Sequence, residues 1–359
     1  MKNILVTGGA GFIGSNFIRY LLAIEKDVRI FNLDALTYAG SEANLIDLPD
    51  PDRHTLIVGD ICDRELIDHT LAERQIEMIV HFAAETHVDR SIHDPGSFVR
   101  TNINGTYTLL EAARQCWLVN KSLGDKPARF HHISTDEVFG TLNLTDPAWT
   151  EETPYMPSSP YSASKASSDH LVRAYGHTYG LPYTITNCSN NYGPHQFPEK
   201  LIPLMIMNAL AGKPLPVYGD GGQIRDWLYV EDHCEAIWLV ASKAQNGKTY
   251  NIGGGTQPKN IEVVNHLCAA LDEMIPNSKY APHKNLIRFV EDRPGHDRRY
   301  AMDIASIYND LGWSPRHTLG SGLKQTVEWY VSHPEWMETI RKKADYKTWM
   351  EKNYEGRKK

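Results

Sequence analysis

Cysteine is scarce in this chain, and the five present form no pattern: Cys62, Cys116, Cys188, Cys234 and Cys268 are odd in number, widely spaced and free of any Cys-x-x-Cys motif. That excludes a disulfide framework and the common zinc modules, and it points to reduced thiols and a cytoplasmic setting. His-Glu-x-x-His and comparable ligand spacings are missing as well, so no metal is expected. The adjacent His131 and His132 point to opposite faces of a strand and cannot share one ion. Positive charge is not in excess: Lys and Arg number 37 against 44 acids, a net charge of -7, which leaves no nucleic-acid surface. The first residues carry no signal-peptide pattern and no apolar run reaches spanning length, so no membrane association is expected. Internal repeats, low-complexity tracts and flexible linkers are absent too. The basic stretch from Arg341 to Lys359 is interrupted by acids and reads as a solvated tail.

What is present is a regular alternation. Short apolar segments at Asn3–Thr7, Val28–Leu33, His54–Val58, Met78–Phe82, Arg129–Ile133 and Tyr183–Asn187 read as buried strands. Helical patterns separate most of them, at Gly14–Ala23, Arg64–Glu73, Asn102–Trp117 and Ala163–Tyr179. Strands alternating with helices predict an α/β protein, a Rossmann-type doubly wound parallel sheet covered on both faces. After about Asn191 the rhythm breaks into Pro- and Gly-rich chain, better suited to lining a cleft than to forming a sheet. A strand at Lys248–Ile252 and a helix near Glu262–Leu271 follow. The expected organisation is a nucleotide-binding domain over 1–191, rejoined by about 231–255. A smaller, discontinuous α/β substrate domain takes 192–230 and 256–330, and 331–359 form a C-terminal tail.

Gly8, Gly11 and Gly14 lie directly between the first strand and the first helix, with Phe12 and Ile13 inside the turn. Glycines there allow a tight turn and let backbone amides approach a pyrophosphate, whose charge the helix N-terminus favours. Asp34 closes the second strand 20 residues later, where a carboxylate accepts hydrogen bonds from a ribose. It would repel a 2′-phosphate, and Ala35-Leu36-Thr37 supply no cation, so NAD is expected rather than NADP. Asp60-Ile61, after the third strand, suit the adenine edge, with Asp60 equally suited to cap the next helix. Phe82-Ala83-Ala84 close the fourth strand with small residues that let a cofactor approach.

Tyr161 and Lys165 stand four apart in a helix opened by Pro160, so both project from one face. An ammonium beside the phenol is expected to lower its pKa from about 10 toward working pH, making a base for a hydroxyl proton. Just upstream, Ser134-Thr135-Asp136-Glu137-Val138-Phe139-Gly140 places two adjacent carboxylates after a strand. Neighbouring carboxyls in different protonation states can supply one proton and accept another. Successive strand residues diverge, so the chain must turn for both to reach one substrate.

Through Gly8–Gly14, Phe82–Asp89, Ser134–Gly140, Tyr161–Lys165, Asn190–Pro194 and Arg225-Asp226-Trp227, the chain resembles the extended short-chain dehydrogenase/reductases and, within them, the dTDP-glucose 4,6-dehydratase family. The resemblance spans essentially residues 1–330, and the Asp136-Glu137 pair is its most specific part. It implies C4 oxidation of dTDP-glucose, water elimination across C5 and C6, and hydride return to C6, for deoxysugar and rhamnose biosynthesis. Tyr161 would be the oxidation base, Lys165 the holder of the nicotinamide ribose, and Thr135 a sugar contact. Glu137 would remove the C5 proton and Asp136 protonate the departing hydroxyl. Thr101 and Asn191 complete the implied cofactor set.

Implied substrate contacts are Thr86, Asn190, Lys200-Leu201, Pro216-Val217-Tyr218, Arg225 and Asn260, followed by Asp292, Arg293 and His296, with Glu199 and Tyr300 near the hexose. The arginines suit a diphosphate because a planar guanidinium donates two bonds to phosphate. A homodimer through the Asn102–Trp117 and Tyr161 helices is also implied. Phe139 departs from the family, which usually has Tyr there. The same features leave open a UDP-glucose 4,6-dehydratase, a nucleotide-sugar 4-epimerase or decarboxylase, which does not require both acids, and an NAD-sensing scaffold, which does not require Tyr161 and Lys165.

Overall fold

The computed structural model describes residues 1–292 and 297–343. Its centre is a seven-stranded sheet of β1 (Asn3–Thr7), β2 (Arg29–Asp34), β3 (His54–Val58), β4 (Met78–His81), β5 (Arg129–Thr135), β6 (Tyr183–Cys188) and, from beyond the Pro-rich region, β10 (Thr249–Ile252). The order is β10-β6-β5-β4-β1-β2-β3 and every pairing is parallel. Alternate residues of each strand feed different cores. Leu5 packs with Leu109, Leu110 and Val172 on one side, while Ile4 and Val6 pack with Phe17, Ile18 and Ile237 on the other. Burial on both faces is why these strands read as continuous apolar runs. The direction of winding reverses between β1 and β4, and such a switch point opens a crevice at the strands' carboxyl ends.

The helix over Asn102–Trp117 is longer than its apolar pattern predicts. Helical chain runs from Pro95 to Val119, with π-helical turns at Val99–Gly105 and Arg114–Val119 flanking Thr106–Ala113. The helix bearing Tyr161 begins at Pro160, where Ser159 and Ser162 form a capping box, and ends at Gly180 in the left-handed region.

The smaller part of the molecule has its own core of Met205, Ile206, Val263, Leu267, Leu323, Val327 and Tyr330. It carries two short parallel pairs: β7 (Asn190–Tyr192) with β9 (Trp227–Tyr229), and β8 (Leu215–Tyr218) with β11 (Ile287–Val290). The expected tail is different in its first part. Helix Pro334–Lys342 buries Trp336, Met337 and Ile340 in this core, because its apolar residues recur at helical spacing. Residues 344–359, most of the expected solvated tail, lie outside the described residues. No described helix is long and apolar enough to cross a membrane.

Candidate active site

A cavity of about 480 Å³ opens at the carboxyl ends of β1, β2, β4, β5 and β6. Gly8, Gly11 and Gly14 form its floor for a simple steric reason. Gly8 has φ 74°, and a methyl group there would meet Ala83 N at 2.6 Å; one on Gly14 would meet Gly8 O at 2.3 Å. The chain thus passes closely under Ala83, and the N-terminus of helix Phe12–Ile24 faces the open space. Asp34 is buried at the rim. Its Oδ2 accepts from Ala10 N and its Oδ1 from Leu36 N, both at 2.8 Å, so it braces the turn while keeping lone pairs for a ribose. Burial raises its pKa against those two bonds and against the charge of Lys343. Lys343 is a cation that the local sequence around Asp34 could not reveal; its Nζ donates to Tyr38 O and Gly40 O on the loop beyond.

Asp60 lines the cavity and does not cap the following helix. It accepts from Cys62 N at 2.8 Å and pairs with Arg100 at 2.7 Å, and Asp63 is the cap, accepting from Leu66 N. Ile61, Phe82, Ala83, Ala84, Thr101 and Asn191 share the wall, as do Phe12 and Ile13. The glycine cradle, helix terminus and carboxylate at the rim fit a dinucleotide.

At the other end of the cavity Asp136 and Glu137 both reach the wall. The required turn exists: β5 runs straight into a single 3-10 turn, Asp136–Phe139, nucleated by Glu137 N donating to Thr135 Oγ1 at 3.3 Å. Gly140, at φ 92°, ends it. Asp136 is 3% exposed, and its Oδ2 has no hydrogen-bond partner among the described residues. Burial, then the negative charge of Glu137, then that of Asp226, push its pKa well above the ordinary 3.8, against the pull of Arg225. The shift favours the protonated form, as a proton donor requires. Asp226 is itself pushed up to about 7 by burial, offset by backbone donors such as Gly254 N. Sequence reasoning gave Asp226 no role, although it lies within the Arg225-Asp226-Trp227 motif.

Thr135 and Tyr161 line the same cavity wall, and the Thr135 hydroxyl donates to Asp136 Oδ1 at 3.2 Å. The expected lowering of the Tyr161 pKa is not what the geometry gives. Burial, and then Glu137, raise it well above 10. Lys165 does not offset them: its Nζ donates to Ile133 O at 2.7 Å. Burial in turn lowers the pKa of Lys165.

Thr86, Asn190, Glu199 and Lys200 line the same cavity. Glu199 is held by Arg90 at 3.3 Å, and Lys200 Nζ donates to Thr86 O. Leu201 opens the next helix, beyond the wall. The remaining implied substrate residues are not on this wall. Arg225 and Tyr300 are buried with the guanidinium 4.2 Å over the ring, near enough to Asp136 and Glu137 to act on their charges. Pro216, Val217 and Tyr218 lie on β8, with Val217 in the core. They gather with Asn260 and Asp292 around the turn Gly219–Gln223: Asn260 N donates to Gln223 O at 2.8 Å, and Gln223 Nε2 to Asp292 Oδ2 at 2.8 Å. Arg293 and His296 lie outside the described residues. Phe139 packs 5.5 Å from Trp149, nearly parallel, and edge-on to Tyr155, so its ring is apolar filling beneath the acid turn.

The chain matches the profile of the family described as GDP-mannose 4,6 dehydratase over residues 5–326. It is 54% identical over 362 residues to the dTDP-glucose 4,6-dehydratase of Shigella flexneri, covering 99% of each chain. Against that of Neisseria meningitidis serogroup B it is 56% identical over 342 residues, covering 95% and 96%. The crystal structure of a Bacillus anthracis dTDP-glucose 4,6-dehydratase in complex with NAD superposes with a TM-score of 0.82 at 45% identity, over 95% of this chain and 100% of that one. A UDP-glucose 4-epimerase from Thermotoga maritima also superposes, at 0.80, over 92% of this chain and 99% of that one, but with 28% identity. Glycine cradle, adjacent acids and Tyr/Lys helix agree with the likeness at full length, and the chain belongs to the GDP-mannose 4,6 dehydratase family, among its dTDP-glucose 4,6-dehydratases.

Proposed function

We propose that this protein converts dTDP-glucose to dTDP-4-keto-6-deoxyglucose. The observation that carries the reading is the geometry of the acid pair: a single turn puts Asp136 and Glu137 on one cavity wall, with Asp136 buried so that its protonated form is favoured beside the charge of Glu137. Tyr161, on the same wall as Thr135, takes the proton of the C4 hydroxyl. A C4 ketone makes C5–H acidic, and Glu137 removes that proton. Asp136 gives its own to the C6 oxygen, which leaves as water. The glycine turn and Lys165 would hold NAD, which would supply the hydride acceptor for C4 and the donor for C6, and whose positive charge would lower the cost of a phenolate at Tyr161; as C6 gains the hydride, C5 regains a proton from Glu137. Lys165 keeps the Tyr161 helix tied to β5 through Ile133 O and presents its ammonium to the nicotinamide ribose. An epimerase has no leaving group to protonate and no use for Asp136 as an acid.

The dinucleotide lies on residues 1–191 with 231–255. The nucleoside diphosphate extends toward the group formed by Pro216–Tyr218, Arg225, Asn260 and Asp292. A homodimer in the cytoplasm belongs to the same proposal. Val99, Tyr107 and Tyr179, each about half exposed on neighbouring helices, support the first, and five unpaired thiols the second. Incubation with dTDP-glucose, and separately with UDP-glucose, tests the reading. A 4-keto-6-deoxy product from dTDP-glucose is expected, and faster turnover of UDP-glucose would overturn the choice of base.

A further inference from the structure

Asp169 stands one turn beyond Lys165 on the same helix, and no part of it reaches solvent. Its Oδ2 accepts from Ser134 Oγ at 2.8 Å and from Tyr155 OH at 2.8 Å, while Oδ1 lies 3.1 Å from His132 Nε2. One carboxylate therefore joins the catalytic helix, the end of β5 two residues before Asp136, and the loop whose Tyr155 ring packs against Phe139. We propose that Asp169 is a positioning residue for the oxidation step, the buried counter-ion that keeps Lys165 an ammonium and fixes the end of β5 beneath the acid pair.

The charges around the pair support this assignment. Burial lowers the pKa of Lys165, and Asp169 is the first influence opposing it. Asp169 is itself held below its ordinary value in spite of complete burial, by His132, Lys165 and Ser134. Of the other titratable groups facing the pair, the imidazoles, thiol and phenol carry no charge, and Arg173 is a second cation that reaches the carboxylate through Tyr155. From β4, His81 is pushed well down by burial, and from β5, His132 down to about 4, so both are neutral imidazoles. From β6, burial drives the Cys188 thiol up to about 12, and Tyr155 is raised by burial and by Asp169, so both stay protonated. Arg173, on the same helix, donates to Tyr155 OH at 3.1 Å. The turn over Val99–Gly105 contributes Asn102, which does not titrate. A lone ammonium in this setting would lose its proton, and with it the charge presented to the ribose.

The test rests on the reading that Tyr161 and Lys165 serve C4 oxidation, and it begins there: substrate added to the native holoenzyme must give bound-NADH absorbance, or that reading fails by itself. Asp169→Asn keeps the shape and removes the charge. The alkaline limb of the NADH-forming rate, set by loss of the Lys165 proton, should move down by about 1–3 pH units. Asp169→Glu should leave the limb in place while the rate falls, and Tyr155→Phe should do the same. An Asn variant slowed equally at every pH, with the limb unmoved, would overturn the proposal. If that variant does not fold, NMR of native holoenzyme with 13C-labelled lysine side chains decides. The signal missing from Lys165→Arg should remain that of an ammonium at pH 7.5, and a neutral amine there would overturn it.

Discussion

At the scale of single residues the account turns on two adjacent carboxyls with different tasks. Glu137→Gln removes the base for C5 and leaves Tyr161 in place. Bound-NADH absorbance should still appear on adding substrate, while product formation falls by about 10²–10⁴-fold. Tyr161→Phe should suppress the absorbance itself. Asp136 makes a prediction of a different kind. Its pKa is above 3.8 in the folded chain, so the folded state holds the extra proton and the contribution of Asp136 to stability declines as pH rises from about 4. Asp136→Asn should therefore melt about 2 °C or more above the native protein at pH 8, with the gap closing toward pH 4, while dehydration is largely lost. A gap that does not change with pH would show that Asp136 is not protonated at a cost. Which residues meet on the cavity wall was legible in the sequence, but the directions of their pKa shifts were not. The rise at Tyr161 comes from burial and from Glu137, 24 positions earlier, and neither acts through the four-residue spacing to Lys165.

At the scale of elements, most strands and helices followed from apolar pattern because burial on both faces leaves an unbroken signal. β1, β3 and helix Arg64–Glu73 have the bounds that the pattern predicts. The 3-10 turn at Asp136–Phe139 was required by the chemistry, but no local residue signals it before Gly140. That glycine sits at φ 92°, and a methyl group on it would meet Met156 O at 2.6 Å. Gly140→Ala should cost about 1–3 kcal/mol and disturb the acid pair. Thermal melting and product assays should both register the loss, with NAD affinity unchanged; NAD binding that falls in step would mean the turn is not a separate element. The assignment of Asp60 between cap and cavity stayed open because two aspartates, Asp60 and Asp63, precede the same helix. Their hydrogen bonds, not their order, separate them.

Across the whole molecule, the dinucleotide floor is braced from the far end of the chain, which no local pattern reveals. Trp336 Nε1 donates to Asn44 Oδ1 at 2.7 Å, and Asn44 Nδ2 donates to Ala10 O inside the glycine turn at 2.9 Å. Trp336→Ala empties a core position and should destabilise the fold by about 3–5 kcal/mol. It should weaken NAD binding as well, by loosening the Ala10 turn. Lower stability with unchanged NAD affinity would separate the C-terminal helix from the cofactor site. The central claim is that one cavity moves a hydrogen within one sugar, from C4 to C6, while Glu137 and Asp136 exchange protons at C5 and the C6 oxygen. The most direct measurement is turnover of dTDP-glucose carrying deuterium at C4, followed by NMR and mass analysis of the product. The account predicts the label in the C6 methyl group and solvent hydrogen at C5. Label recovered at C4, or lost to solvent, would contradict it.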